Sequence, residues 1–333
     1  MSEIIDVFET YLFCYTCPIV SIIGECLSII CIIVFLNSTF KENFYNYIRM
    51  EIVFSSISLL FYIIRSTYYC KGGIYRSYAV AFIHYYNRYL RNVSEMEAAV
   101  SCILASLEFY LILTNNYKSK YNILARVSYK VIILIVFIFS MILFSFRLLE
   151  YEIKPIKSNQ TATFNLTIAQ TYKLDKTDFV KSNVYFFIKT FSYILLDFLS
   201  VVVMVIVNFL IFINVRLLMK QKCNINGKNN TNKTMENIKN TNKTVKLMFL
   251  VGSVNSIIGR IPNFVYFICD IFLDPNKYKT LIGILLPTTY TILAFSFVFK
   301  YFLYYLTNNL FKNILENHLV YILRTVKLKK QEN

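Results

Sequence analysis

The chain has 333 residues, of which 56% are apolar, 17% aromatic and 16% charged, with a formal net charge of +16 at pH 7. Soluble domains carry about 25% charged residues, so this composition argues against a soluble globular protein. Only 7 Gly and 5 Pro argue against collagen-like or proline-rich disordered chains, and 2 His and 8 Cys leave little for a metal centre or a disulfide scaffold.

A helix crossing a hydrocarbon core of about 30 Å needs roughly 20 mostly apolar residues. Seven stretches meet that length, at residues 11–36, 47–69, 86–114, 129–149, 184–213, 245–272 and 281–306. The third is the least apolar, because its first half carries Arg88, Arg91, Glu95 and Glu97. Charges at bilayer depth cost several kcal/mol unless they face other helices, so this span is expected at the centre of the bundle. The fold class expected is therefore all-α, a seven-transmembrane helix bundle.

Lys and Arg set the orientation, because basic loops are retained in the cytosol. With residues 1–10 outside, the cytosolic segments hold about twice as many Lys and Arg as the outer ones. Glu3, Asp6 and Glu9 replace the basic start of a cleavable signal, so the first span is expected to act as its own targeting signal. The expected location is the plasma membrane, crossed many times. Residues 216–244 contain polar low-complexity sequence with NTNKT at Asn230–Thr234 and again at Asn240–Thr244, and read as a disordered cytosolic loop. Residues 307–333 follow the last span, and Leu310, Phe311, Ile314 and Leu315 recur there at helical spacing among Lys312, Asn313 and Glu316. That pattern predicts a short amphipathic helix on the inner leaflet. Anionic lipid accounts for the basic charge, and no nucleic acid is needed as a partner.

Asn159 and Asn165 begin N-x-T sequons in the expected outer segment 151–181 and are candidate glycosylation sites. Cys14-Tyr-Thr-Cys17 lacks the further Cys or His that a zinc site needs. Cys14, Cys17, Cys70 and Cys269 fall near the outer surface and could pair, whereas Cys26, Cys31 and Cys102 read as packing thiols.

Three motifs carry a resemblance. The third span ends in Ala105-Ser-Leu-Glu-Phe-Tyr-Leu-Ile-Leu113, and the fourth in Phe144-Ser-Phe-Arg-Leu-Leu-Glu-Tyr-Glu152. Tyr304 is followed seven residues later by Phe311 and then Lys312, and Pro262 falls within the sixth span. The first motif is similar to S-[LI]-[DE]-R-Y-L of rhodopsin-class G-protein-coupled receptors, with Glu108 and Tyr110 retained. The second resembles the I-P-R-F-F-E-[FY]-E ending of invertebrate FMRFamide-type neuropeptide receptors and nematode serpentine chemoreceptors. The third looks like the N-P-x-x-Y-x6-F-[RK] junction into a surface helix. The resemblance covers the chain from Gly24 to about Leu315. It departs from the pattern at Phe109, which replaces the motif arginine, at Ser55 and Ser200, and at Lys300-Tyr301.

The resemblance implies a receptor that passes the binding of an extracellular peptide or small molecule to a heterotrimeric G protein, with no enzyme activity, catalytic residue, metal or cofactor. It assigns switch roles to Glu108, Tyr110, Pro262 and Tyr304. It also implies that Glu25, Ser55 and Lys300 lie together in a polar network, with a buried Glu25–Lys300 ion pair; the alternative is that Lys300 reaches the inner surface. Arg91 precedes Glu108 by 17 residues, about 25 Å along a helix, and so falls near the outer mouth. An arginine there repels amines and favours a carboxylate or a polar peptide. Arg91, Glu95 and Arg260 are the candidate ligand contacts, unless Arg91 pairs with Glu95 across one helical turn and Arg260 with Asp197 or Glu95. Two other classes compete. A transporter or channel subunit would carry an inverted repeat or broken midplane helices; a receptor-like protein that binds ligand without the usual G-protein coupling fits the motif losses.

Overall fold

The computed structural model describes residues 7–8, 10–40, 42–70, 74–75, 77–114, 127–156, 171–225, 258–273, 278–318 and 320. The sequons at Asn159 and Asn165, the NTNKT repeats and residues 245–257 of the sixth expected span lie outside them.

Helix α1 opens with a π turn, Leu12–Thr16, and continues as Cys17–Phe35. Then come α2 (Asn43–Cys70), α3 (Tyr78–Leu113) and α4 (Tyr129–Phe144), the last closing in a 3-10 turn at Ser145–Leu149. Strands β1 (Tyr151–Ile156) and β2 (Thr171–Lys176) precede α5, which runs Asn183–Tyr193, widens to a π turn at Ile194–Leu199 and resumes over Ser200–Ile225. Helices α6 (Ile261–Phe272) and α7 (Lys279–Thr307) follow, and residues 309–318 form α8.

Among the described residues, α1 to α5 and α7 supply six stretches long and apolar enough to cross a membrane. Their outer faces display Ile29, Ile33, Leu134, Ile138, Phe187, Phe209 and Phe299, all exposed. Such a surface is stable in hydrocarbon and not in water, so the chain is a multi-pass helical membrane protein. Inside, small hydroxyl residues let the helices approach, and several return their hydroxyl to the preceding turn, as Ser28 Oγ does to the Gly24 carbonyl (2.8 Å) and Ser58 Oγ to that of Phe54 (2.9 Å). Gly24 marks a close approach of α1 to α2 and α7: a Cβ there would lie 2.6 Å from Leu59 Cδ1 and 2.9 Å from Val298 Cγ2. Gly24→Val is expected to overpack this seam by about 1–3 kcal/mol and to lower the thermal midpoint of the purified protein, with Gly24→Ala milder. Equal midpoints for both variants and the parent would refute a tight seam.

The third helix begins at Tyr78, earlier than the sequence suggested, and packs between α2, α4, α5 and both strands, with residues 91–99 continuously buried. Its charges Arg91, Glu95, Glu97 and Glu108 all point into the bundle, as the cost of exposing them to lipid requires. The extension brings His84 into the helix, within 3.2 Å of Thr67 Oγ1 and with its ring beside Tyr75. Helix α5 continues to Ile225, so residues 216–225, expected as loop, are helical.

The β-hairpin was not foreseen. Tyr151 pairs with Lys176 and Ile156 with Thr171 in antiparallel register. Tyr75, between α2 and α3, joins the hairpin through two backbone bonds with Tyr172 (2.7 and 2.8 Å). At this hairpin end the Cys14–Cys70 disulfide ties the first turn of α1 to the last residue of α2. Of the other cysteines that could have paired, Cys17 and Cys269 are free; Cys31 and Cys102 pack inside, but Cys26 is exposed.

At the opposite end, Asn308 Oδ1 accepts the Phe311 amide (3.0 Å) and caps α8. Phe311 and Ile314 turn inward while Lys312 and Asn313 stay exposed, the amphipathic pattern expected. Phe35, Phe40, Tyr304 and Phe311 pack ring against ring there, with centroids 5.0–5.4 Å apart around Phe35, which joins α8 to α1 and α7.

Candidate ligand-binding cavity

A cavity of about 640 Å³ opens at the hairpin end. Helical spacing explains how distant sequence segments converge on it. Arg88, Arg91 and Asn92 share one face of α3, Tyr185, Lys189 and Tyr193 one face of α5, and Leu286 and Tyr290 one face of α7. Arg65 comes from α2, Arg147 from the turn after α4, Phe267 and Asp270 from α6, and Glu150, Tyr151 and Lys176 from the hairpin and its approach.

The wall is electropositive, with six basic side chains and two carboxylates, Glu150 and Asp270. On the floor, Arg91 Nε lies 3.3 Å from Glu95 Oε1, one turn further along α3, and Glu95 also accepts the Tyr62 hydroxyl (2.6 Å). The guanidiniums of Arg65 and Arg91 both lie over the Tyr290 ring, 4.1 and 4.7 Å from its centre. On one side Arg147 binds Glu150 at 2.8 Å and donates to the Tyr193 hydroxyl (3.1 Å), with Arg88 3.9 Å from the same carboxylate. On the other, Lys189 binds Asp270 at 2.9 Å.

Burial by itself would raise the pKa of Glu150, but Arg147 and Arg88 outweigh it and hold the carboxyl at about 2, below its ordinary 4.5. The unfolded chain therefore takes up this proton before the folded one does. The stabilisation, of order 3 kcal/mol, is whole above about pH 4.5 and is lost as the pH falls toward about 2. Glu150→Gln should flatten the acid limb of thermal midpoint against pH in that window; an unaltered limb would contradict the pairing.

The sequence-derived candidates divide. Arg91 lines the cavity, and Glu95 stands behind it as its i, i+4 partner. Arg260 is outside the lining and fully buried. Its guanidinium donates to the carbonyls of Glu95 (2.8 Å) and Leu196 (3.1 Å) and meets Asp197 Oδ1 at 3.4 Å, while Asn263 donates to the other Asp197 oxygen (2.8 Å). The π turn of α5 offers Leu196 O to Arg260, and the Ser200 hydroxyl bonds the same carbonyl.

The polar network nearer the opposite end differs from the one expected. Lys300 does not pair with Glu25: its Nζ lies 3.1 Å from Glu51 Oε1 and donates to Ser55 Oγ (2.6 Å), and the Tyr304 hydroxyl takes the second Glu51 oxygen (3.2 Å). Glu51 is one helical turn before Ser55, so the acid of α2 is displaced by a turn and reaches Lys300 directly, whereas Glu25 on α1 accepts the Ser56 hydroxyl (2.5 Å). Ser55, Lys300 and Tyr304 thus belong to one buried cluster and Glu25 to another.

Glu108 is fully buried near the end of α3 and Tyr110 half-buried. Phe109 packs edge-on against Phe44 of α2 at 5.6 Å, an apolar contact where the receptor motif has an arginine. Pro262 is in the first turn of α6, directly after a π turn at residues 258–260, which accommodates its missing N–H. Arg65, Arg147, Lys176 and Lys189 were not singled out from the sequence; they come from α2, the turn after α4, β2 and α5, and only the folded chain brings them together.

The chain matches no protein-family profile and no curated protein.

Proposed function

We propose that this protein is a seven-helix receptor of the rhodopsin-like kind in the plasma membrane. Its hairpin end faces outside, and α8 lies on the cytosolic leaflet. A peptide or small molecule binds in the cavity between α2, α3, α5, α6 and α7, and shifts the population of bundle conformations seen by a heterotrimeric G protein.

The cavity carries this reading, because it is large enough for a small-molecule ligand and is framed by converging helix ends. The Glu51–Lys300–Tyr304 cluster supports it from the other end, where a buried ion pair joins α2 to α7 and favours one arrangement of the two. The proline-associated π turn before Pro262 gives α6 a place to bend.

The test is a G-protein activation assay in cells expressing the chain with an N-terminal epitope, challenged with a panel of peptides and small acids. Surface staining without permeabilisation, together with a ligand-dependent signal lost in Arg91→Gln, is expected. Surface staining with no signal from any G-protein class would overturn the coupling, and an epitope reached only after permeabilisation would overturn the orientation.

A further inference from the structure

We infer that the cavity takes a ligand bearing one anionic head group, a carboxylate above all, on an aromatic or apolar body, with the head group seated on Arg91. This rests on reading the cavity as the ligand site, and it adds the chemical class of what enters.

Arg91 carries the argument. Its side chain is 5% exposed, yet Nη1 has no hydrogen-bond acceptor, Nη2 makes only long contacts of 3.4 Å to Asn92 Oδ1 and the Tyr290 hydroxyl, and Glu95 reaches only the Nε side. A buried guanidinium donor left unmade is costly. The same fork matches the two oxygens of a carboxylate, which would fill it with charge-assisted bonds. The six basic groups facing two carboxylates in the lining give the cavity a positive surplus that attracts an anion and repels an amine. Other lining residues supply the apolar contact: Tyr193 and Phe267 stack at 4.5 Å, and Leu286 lines the same space.

A free organic acid and the C-terminal carboxylate of a peptide share this chemistry. The test measures the thermal midpoint of the full chain in detergent at constant ionic strength, with four probes: 3-phenylpropionate, 3-phenylpropanamide, acetyl-Gly-Gly-Phe with a free carboxylate, and the same peptide amidated. At least one acid is expected to raise the midpoint by about 2 °C or more while its amide does not. A response to 3-phenylpropionate identifies a small acid as sufficient; a response to the peptide acid alone identifies a peptide terminus. Arg91→Gln combined with Glu95→Gln, which strands neither charge, is expected to abolish the response, and Arg65→Gln to weaken it. Equal shifts from acid and amide, no shift from any probe, or a full response in the double variant would overturn the inference. Acid-dependent stabilisation without signalling would sink the receptor reading and leave this one, whereas activation by a neutral or cationic ligand would do the reverse.

Discussion

Lys300→Met is expected to abolish folded protein at the cell surface, and adding Glu51→Gln is expected to restore much of it. Lys300 and Glu51 are 0% and 1% exposed at a separation of 3.1 Å, in the interior of a membrane protein where water cannot replace a lost partner. Removing the lysine leaves the buried Glu51 carboxyl without its cation, at a cost of roughly 3–5 kcal/mol. That is a large part of the 5–15 kcal/mol that stabilises a typical native protein. The double variant removes both charges and leaves Gln able to accept from Tyr304. Lys300→Met with Glu25→Gln should rescue nothing, because Glu25 is bonded to Ser56 on another seam. Surface staining and monodispersity in detergent read the outcome; rescue by the Glu25 change and not by the Glu51 change would reverse the assignment.

The second large effect is expected at Arg260. It is among the largest fully buried side chains, and one guanidinium joins α6 to the Glu95 carbonyl of α3 and to Leu196 and Asp197 of α5. Arg260→Met leaves the buried Asp197 carboxylate with Asn263 but no cation and takes a donor from the Glu95 and Leu196 carbonyls, again a loss of about 3–5 kcal/mol. Arg260→Lys should recover only part of it, because an ammonium cannot present the planar fork to three acceptors on two helices. Arg260→Met with Asp197→Asn should fall between them. The yield of folded protein after detergent extraction orders the variants, and a Lys variant equal to the parent would show that charge alone suffices.

What the sequence revealed depended on how local each signal was. A run of 20 apolar residues declares a span wherever it occurs, so the limits of α1, α2, α4 and α7 were legible to within a few residues. The buried charges of α3 were legible because lipid forbids the alternative. The hairpin has a signal in the sequence: Tyr151 and Ile153 alternate with Glu152 and Lys154, and Tyr172 and Leu174 with Lys173 and Asp175, the period of a strand. Glu51 was visible as a lone acid in a span, but matching by motif position pointed to Ser55 and hid an acid one turn away on the same helix face. Of the cavity's basic lining, only Arg91 was legible as a ligand contact, while Tyr193, Tyr266 and Tyr290 were legible only as upper-span aromatics, not individually assignable to a pocket. Arg65, Arg147, Lys176 and Lys189 lie on different elements, and no spacing rule within one helix connects them.

The receptor account requires the hairpin, and with it the cavity mouth, to face the outside of the cell. The direct measurement is labelling of a Lys154→Cys variant, exposed on β1, by a membrane-impermeant maleimide on intact cells, with the parent chain as the background control. Labelling above background is expected before permeabilisation, and none further after it. Labelling that appears only once the cells are opened would contradict it.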